Sequence, residues 1–426
     1  MLLRFGVRNF ISIRDAEELS LVASTLSDPS DGLIESKLAT QMKILPVAIV
    51  YGANASGKSN VVAAFEQLRS VVLFSHSHGT PEGGVPRRPF ALDEACASET
   101  TEFSVDFEWD NSRYQFGFGT DGEVITEEWL YSTPGTRRQT LYVRSLQDFK
   151  FGRSLRGKNR VISELTRPNS LFISAAAQNG HEELSKVSRF FRSIHVEKSI
   201  TQVPHLIPQI IGTDLDERVI EFLRNIGTGV TSYSLGEKYV SEEVLEMRTR
   251  LVDFLSDLAK GDPLSELRDR VDEKESDLKL AHKGRGDDDV LFELEQESAG
   301  TRRLLVVLTL VFRALDHGAT LFIDEFDASL HTQACEAILG LFANPKINTR
   351  GAQLIATTHD TNLLDSKWLR RDQIWFTEKD SYGATHIYPL TDIRTRKGDN
   401  LERGYLQGRY GAIPYGAAVN ELVSAK

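Results

Sequence analysis

The sequence predicts an α/β fold: a nucleotide-binding lobe whose two halves are separated by an antiparallel β subdomain and an inserted helical subdomain. Three observations predict it. An apolar run, Val47 to Val50, leads through Gly52-Ala53-Asn54-Ala55-Ser56-Gly57-Lys58-Ser59 into a helix-compatible stretch, Val61 to Leu68. Two further apolar runs end in chemistry: Thr320 to Ile323 in Asp324-Glu325, and Gln353 to Thr358 in His359-Asp360. Between the first run and the second, the spacing of apolar residues changes from two to three and four, which is the change from strands to helices.

Size and composition set the frame. A chain of 426 residues suffices for two domains, or for one large domain with an insertion. The formal charge of −11 argues against a surface that is basic throughout, although a local basic groove is a matter of patches and not of totals. The longest apolar run, Leu304 to Phe312, falls short of the ~20 residues a membrane helix requires. Arg4, Arg8 and Arg14 interrupt the N-terminal stretch, so no signal sequence is expected there. Cys96 and Cys335 are the only cysteines and lie far apart, which fits a reducing cytoplasm better than a disulfide framework.

Taken in order, Leu2 to Ile13 alternates as a half-buried strand, with Phe10 to Ile13 as its continuation, and Leu19 to Val22 reads as its hairpin partner. After a proline-rich loop, Pro81 to Pro89, period-two runs return. Phe103, Val105 and Phe107, then Tyr114, Phe116 and Phe118, read as a meander, with Asp110-Asn111 as turn material. From Leu165 to Ala281 the pattern is mainly helical, with Glu182–Phe191, Leu215–Ile226, Glu242–Leu258 and Leu264–Leu280 as the expected helices. The charges of both signs from Glu242 to Leu280 suit a solvated helix pair better than a basic nucleic-acid helix. Strand resumes at Val290 to Leu294. The expected divisions are therefore 1–164, 165–281 and 282–426.

The chemistry sits at the ends of the apolar runs. In a strand–GxxxxGKS–helix unit the glycines let backbone N–H groups face a phosphate, and the helix start adds partial positive charge. Lys58 then reaches the β- and γ-phosphates, and the Ser59 hydroxyl ligates Mg²⁺. The nucleotide-contacting set in this loop is Gly52, Asn54, Gly57, Lys58, Ser59 and Asn60. At the end of the acid-bearing strand, Asp324 holds the Mg²⁺ shell, directly or through water, and Glu325 polarises the attacking water. His359 either contacts the γ-phosphate and orients water or is a satisfied core histidine. Glu297-Ser298-Ala299-Gly300-Thr301 opens a helix and is either a second anion site or a plain capping turn. One phosphate meets two helix N-termini only if those ends face each other, so a dimer in which each Ser298–Gly300 turn closes the other subunit's site is the economical arrangement. The pair His76 and His78 is too sparse for a metal site. The aromatic run Gly404 to Pro414 reads as a packing or partner surface.

Together, Asn9-Phe10, GANASGKSN (52–60), ESAGTR (297–302), LFIDEFDASLH (321–331) and ATTHDTNLL (356–364) resemble the ABC/SMC-like AAA ATPases of bacterial abortive-infection and restriction-linked operons. The tail GYLQGRYGAIP (404–414) points to the RloA/AbiL type. The resemblance implies an ABC/SMC-like P-loop ATPase head with ATP sandwiched between two subunits of a homodimer. By position it makes Asp324 and Glu325 the Walker B pair, Ser298, Gly300 and Thr301 the signature motif, Ser329-Leu330-His331 the D-loop and His359 the switch histidine. ATP in place of GTP comes from the resemblance. Relatives of the OLD type carry a Toprim nuclease domain after the head, whereas only about sixty residues follow His359, too few for such a domain. The expected role is accordingly an ATP-hydrolysing sensor or regulator of an antiphage system, paired with a separately encoded nuclease or toxin. The alternative is a repair ATPase that clamps DNA when ATP closes the dimer.

Overall fold

The computed structural model describes residues 1–39, 41–135, 137–198, 207–211, 214–239, 274–286, 288–396 and 398–412. By contact the chain divides into two units, Met1–Lys198 with Arg313–Lys426, and Ser199–Phe312.

The first unit holds two large sheets. Its strands begin with β1 (Leu2–Arg8), β2 (Glu17–Ser20), the short pair β3 (Ile34–Glu35) and β4 (Lys43–Ile44), and β5 (Val47–Gly52). The period-two run then gives β6 (Thr101–Trp109), β7 (Ser112–Thr120), β8 (Ile125–Thr133), β9 (Gln139–Ser145) and β10 (Asp148–Phe151). These form a seven-stranded antiparallel sheet in the order β10-β9-β8-β7-β6-β1-β2. The expected meander is present, and its alternate residues Phe103, Val105, Phe107, Phe116 and Phe118 are buried.

The second large sheet is made of distant pieces. β11 (His195–Glu197), β15 (Thr320–Ile323), β16 (Gln353–Thr357), β5 and β17 (Ile374–Lys379) run parallel in that order, and β18 (Thr385–Pro389) pairs antiparallel with β17. Every residue of β5, β15 and β16 is buried, as strands covered on both faces must be. The helix after the glycine-rich loop, α1 (Lys58–Phe74), carries buried residues around most of its circumference. A helix of that kind belongs between layers. Phe65 shows it directly: its ring stacks at 4.1 Å on Phe322 of β15 and meets Phe5 of β1 edge-on at 5.1 Å.

One expected strand is a turn. β1 ends at Arg8, and Asn9 to Arg14 reverses the chain, with Asn9 N–H on Arg14 O at 3.1 Å and Phe10 bridging to Ile13. Asn9 (φ 52°) and Ile11 (φ 51°) are left-handed. For a β-branched residue this costs energy. Buried Asn9 offsets it with its amide on the carbonyls of Cys96 and Glu99 and its Oδ1 on the Phe90 N–H.

In the second unit the helix Glu217–Asn225 matches expectation, and Glu242–Leu258 lies outside the described residues. The expected helix Leu264–Leu280 is corrected at its end, because Lys274–Lys283 is strand β13, paired antiparallel with β12 (Val230–Tyr239) and β14 (Asp289–Glu293). Of the mixed charges that suggest a solvated helix, Lys279 is a cross-strand partner: it stands opposite Glu293, with Nζ 2.7 Å from its carboxylate, while Leu278 and Leu280 are buried. Opposite charges across a ladder stabilise a sheet. No described helix is long and apolar enough to cross a membrane.

Candidate active site

The site is assembled where the parallel strands end. β5 runs into Gly52, the loop turns through Ala55 (φ 64°) and Gly57 (φ 109°), and α1 begins at Lys58. Both glycines are required by neighbours. A Cβ on Gly52 would stand 2.5 Å from the hydroxyls of Ser56 and Thr377, and one on Gly57 would stand 2.3 Å from Thr385 Oγ1. Gly57 in addition needs a backbone conformation that L side chains rarely adopt.

Those hydroxyls form a knot behind the loop. Ser56 Oγ lies 2.7 Å from Thr377 Oγ1. The Thr385 hydroxyl lies 2.8 Å from both Ser56 O and Ser12 Oγ, and Asn60 donates to Ser12 Oγ at 2.6 Å. All four hydroxyl residues are buried. Asn60 thus fastens the loop to the turn after β1 with the amide expected to face nucleotide. Sequence reading misses Ser12, Thr377 and Thr385, which come from strands and turns far along the chain.

Lys58 is buried, 6% exposed, and its Nζ donates to Gly52 O at 2.7 Å and Ala53 O at 3.0 Å. Burial pulls its pKa down to about 8, against the raising pull of Asp324, Asp327 and Glu325. The structure therefore brings together, in one electrostatic neighbourhood, the loop lysine and the acids of β15. Asn54 and Ser59 are exposed at the loop's mouth.

The acids are held by β16. The Thr357 hydroxyl donates to Asp324 Oδ1 at 2.6 Å and accepts the Glu325 N–H at 2.8 Å. Asp324 N–H donates to Glu197 O of β11 at 3.1 Å. Glu325 takes a left-handed backbone, φ 50°, and is exposed. Two residues on, Asp327 Oδ1 accepts from Thr358 Oγ1 at 2.7 Å and from His359 N–H at 3.1 Å. Asp327 and Thr357 are site residues that sequence reasoning misses; the signal was present in the third acid of Asp324-Glu325-Phe326-Asp327 and in the Thr357-Thr358 pair. His359 is exposed at the end of β16 and is no core histidine.

Because Thr357 both orients Asp324 and fixes the backbone of Glu325, Thr357→Val is expected to lower the rate of nucleotide hydrolysis about tenfold. The lost hydrogen bonds are expected to cost about 1–3 kcal/mol of stability. Thr357→Ser should restore both. Steady-state turnover and denaturant unfolding of the two variants check this.

Behind the loop, buried Tyr51 packs against Phe376 and Tyr405, whose rings lie 6.3 and 6.2 Å away. The aromatic tail segment through Ala412 is therefore packing against the loop strand, and Ile413-Pro414 lies outside the described residues.

In the second unit, Ser298 Oγ accepts the Thr301 N–H at 3.0 Å and lies 2.9 Å from Thr301 Oγ1. It caps the helix Ala299–His317, whose first turn includes Gly300. The capping reading is realised, and Ser298 remains exposed while Thr301 is buried. In the first unit, Ser329 (φ 60°) is exposed, and His331 Nδ1 caps the helix Thr332–Ala343 by accepting Gln333 N–H at 3.2 Å.

A loop of backbone N–H groups before a helix, with a lysine at its end, suits the charge of a polyphosphate. The donors for a cation are hard oxygens, the Ser59 hydroxyl and the Asp324 carboxylate. Among the described residues no group of three His, Cys, Asp or Glu side chains could hold a metal alone. Mg²⁺ fits such a site, because it takes one or two protein oxygens and completes its shell with phosphate and water.

A family described as "AAA domain, putative AbiEii toxin, Type IV TA system" matches residues 47–365. No curated protein matches the chain in sequence. Among solved structures, the chain is similar to an SMC head bound to the C-winged helix domain of ScpA, at 15% identity over 91% of this chain and 96% of that one, with a TM-score of 0.42. It is similar to the SMC head domain from Thermotoga maritima at 15% identity, with coverage of 91% and 98% and a TM-score of 0.36. For the Smc head with an extended coiled coil bound to the C-terminal domain of ScpA, derived from Pyrococcus furiosus, the values are 13%, 92%, 97% and 0.39.

Proposed function

Because the chain belongs to this AAA domain family of P-loop ATPases, we propose that it binds ATP with Mg²⁺ and hydrolyses it between two copies of itself. We infer that this cycle regulates a separately encoded nuclease or toxin in an abortive-infection system of the RloA/AbiL kind. One observation carries the catalytic reading: Lys58, at the end of the phosphate loop, lies in the field of Asp324, Asp327 and Glu325. The family's description as a putative AbiEii toxin of a TA system supports a toxin–antitoxin context.

In this reading the loop N–H groups and Lys58 neutralise the β- and γ-phosphates. Ser59 and Asp324 hold Mg²⁺, which when bound draws charge from the phosphate oxygens. Glu325, its backbone fixed by Thr357, takes a proton from the attacking water, and His359 stands at the neighbouring strand end to orient it. Ser298, Gly300 and Thr301 of the second copy close the γ-phosphate.

Ser298 gives a test that separates capping from catalysis. Aspartate caps a helix about as well as serine, so Ser298→Asp preserves the fold and places a negative charge against the γ-phosphate. Turnover should then fall at least about a hundredfold if an oxyanion-type contact is lost. Mixing Ser298→Asp with Lys58→Ala should restore turnover, to about a quarter of wild type if the copies pair at random. Half of the dimers are then mixed, and each mixed dimer holds one intact composite site of its two. No restoration on mixing two inactive, folded variants would refute the shared site.

A further inference from the structure

The first unit carries a strongly basic surface at the edge of the meander. Between Glu128 and Glu164 the sequence holds eight lysines and arginines against one acid, Asp148, in a chain whose formal charge is −11. Arg144 is buried and faces Glu128, and Lys150 pairs with Asp148 at 3.9 Å. The other six, Arg137, Arg138, Arg153, Arg156, Lys158 and Arg160, are exposed, and among the described residues none of them meets a carboxylate.

The fold gathers these cations. β9 and β10 pair antiparallel with Phe151 opposite Tyr142, and Gly152 N–H on Leu141 O at 2.7 Å carries the pairing past the end of β10. Arg153 therefore stands at the end of the hairpin where Arg137 and Arg138 lead into β9. The loop that follows is anchored. Leu155 is buried, Asn159 Nδ2 donates to Leu155 O at 2.8 Å, and Asn159 Oδ1 lies 2.9 Å from Nε2 of buried His181. β10 is the last strand of its sheet, with four strands between it and β1. The neighbouring acids are few: Glu164 in the last turn of the helix Asn159–Leu165, and Glu182 and Glu183 after His181, with Glu182 paired to Lys186 at 3.5 Å. Six like charges held on one backbone repel each other, a cost that a bound polyanion removes.

From this uncompensated charge on an anchored scaffold, we propose that the edge of the meander, from Arg137 to Arg160, binds the phosphate backbone of a nucleic-acid duplex. A single copy of the chain suffices, and bound ATP is not required. Five of the six cations are arginines, whose planar fork matches phosphate oxygens two at a time. The rings among them are engaged elsewhere: Arg138 covers Tyr131 at 3.7 Å, and Phe149 and Phe151 pack on Phe172 at 5.5 and 5.3 Å. A single strand is held largely by stacking its bases on free rings, so a duplex held through its phosphates fits this surface better. The exposed apolar residues Leu146 and Leu165 sit by the β9–β10 turn with Asp148 and Glu164, acids that oppose an anionic membrane surface.

Fluorescence anisotropy of the full chain with a labelled duplex DNA, and separately a duplex RNA, tests this without nucleotide. Binding is expected to weaken about a thousandfold between about 50 and 200 mM salt, as six phosphate contacts require. Arg153→Gln, Arg156→Gln and Lys158→Gln combined should lower the salt slope by about three. These side chains make no hydrogen bond among the described residues, so the variant keeps the fold. Lys346→Gln, Arg350→Gln and Lys367→Gln combined removes the same charge from other exposed positions of the first unit and should leave the slope unchanged. DNA and RNA bound alike identify the phosphate as what is read, and a preference for one names the source; both support the proposal. It is overturned by no binding at about 50 mM salt, or by an equal effect of the two combined variants. Tighter binding to phosphatidylserine vesicles or to polyglutamate than to either duplex overturns it as well. So does binding that needs ATP, since the surface is then made between copies. None of these readouts uses ATP turnover, so the result stands apart from the ATPase assignment.

Discussion

Glu325→Gln is expected to lower ATP turnover by about 10²–10⁴, the range spanned by loss of a general base, while ATP still binds. Glutamine keeps the shape of the side chain and the left-handed backbone at φ 50° that the Thr357 hydroxyl secures. It cannot take the proton from the attacking water. Bound triphosphate should then persist, and the closed dimer should accumulate with it. Single-turnover kinetics and light scattering with and without ATP read the two consequences separately. Unchanged turnover in this variant would remove Glu325 from the mechanism. A loss of ATP binding in step with turnover would make its role structural.

Lys58→Ala is expected to fail one step earlier. The lysine is a buried cation in the field of Asp324, Asp327 and Glu325, and a charge-assisted hydrogen bond to phosphate is worth about 1.5–3 kcal/mol. ATP affinity should therefore fall by roughly tenfold to more than a hundredfold, and ATP-dependent dimerisation should go with it. The apo protein should melt at nearly the same temperature as wild type, because burial already disfavours the lysine's charge in the folded state. Nucleotide titration together with thermal melting distinguishes the two effects. A variant that melts far lower and still binds ATP would make Lys58 a structural clamp on the Gly52 and Ala53 carbonyls.

The site was legible to different depths. Gly57, Lys58 and Ser59 stand out as candidates because a phosphate loop is a local object: one strand end, one turn and one helix start, contiguous in sequence. Asp324 and Glu325 stand out because a buried strand needs an apolar run, and the acids break it at its end. Thr357, Asp327, Ser12 and Thr385 escape, since a threonine or an aspartate announces nothing until its partner is known. Thr385 meets Ser12 across 373 positions of sequence. The same holds for Lys274–Lys283, where alternating charge reads as a solvated helix until Glu293 stands opposite Lys279.

By itself the sequence determined the period of the meander, the phosphate loop, the acid-ended strand and an α/β fold. Each depends on neighbours within a turn or a strand, where backbone geometry fixes which side chains share a face. Tertiary structure alone decided that β16 stands between the loop strand and the acid strand, and that one threonine holds both acids. These depend on which distant segments are brought within the roughly 3 Å of a hydrogen bond, and no local pattern encodes that.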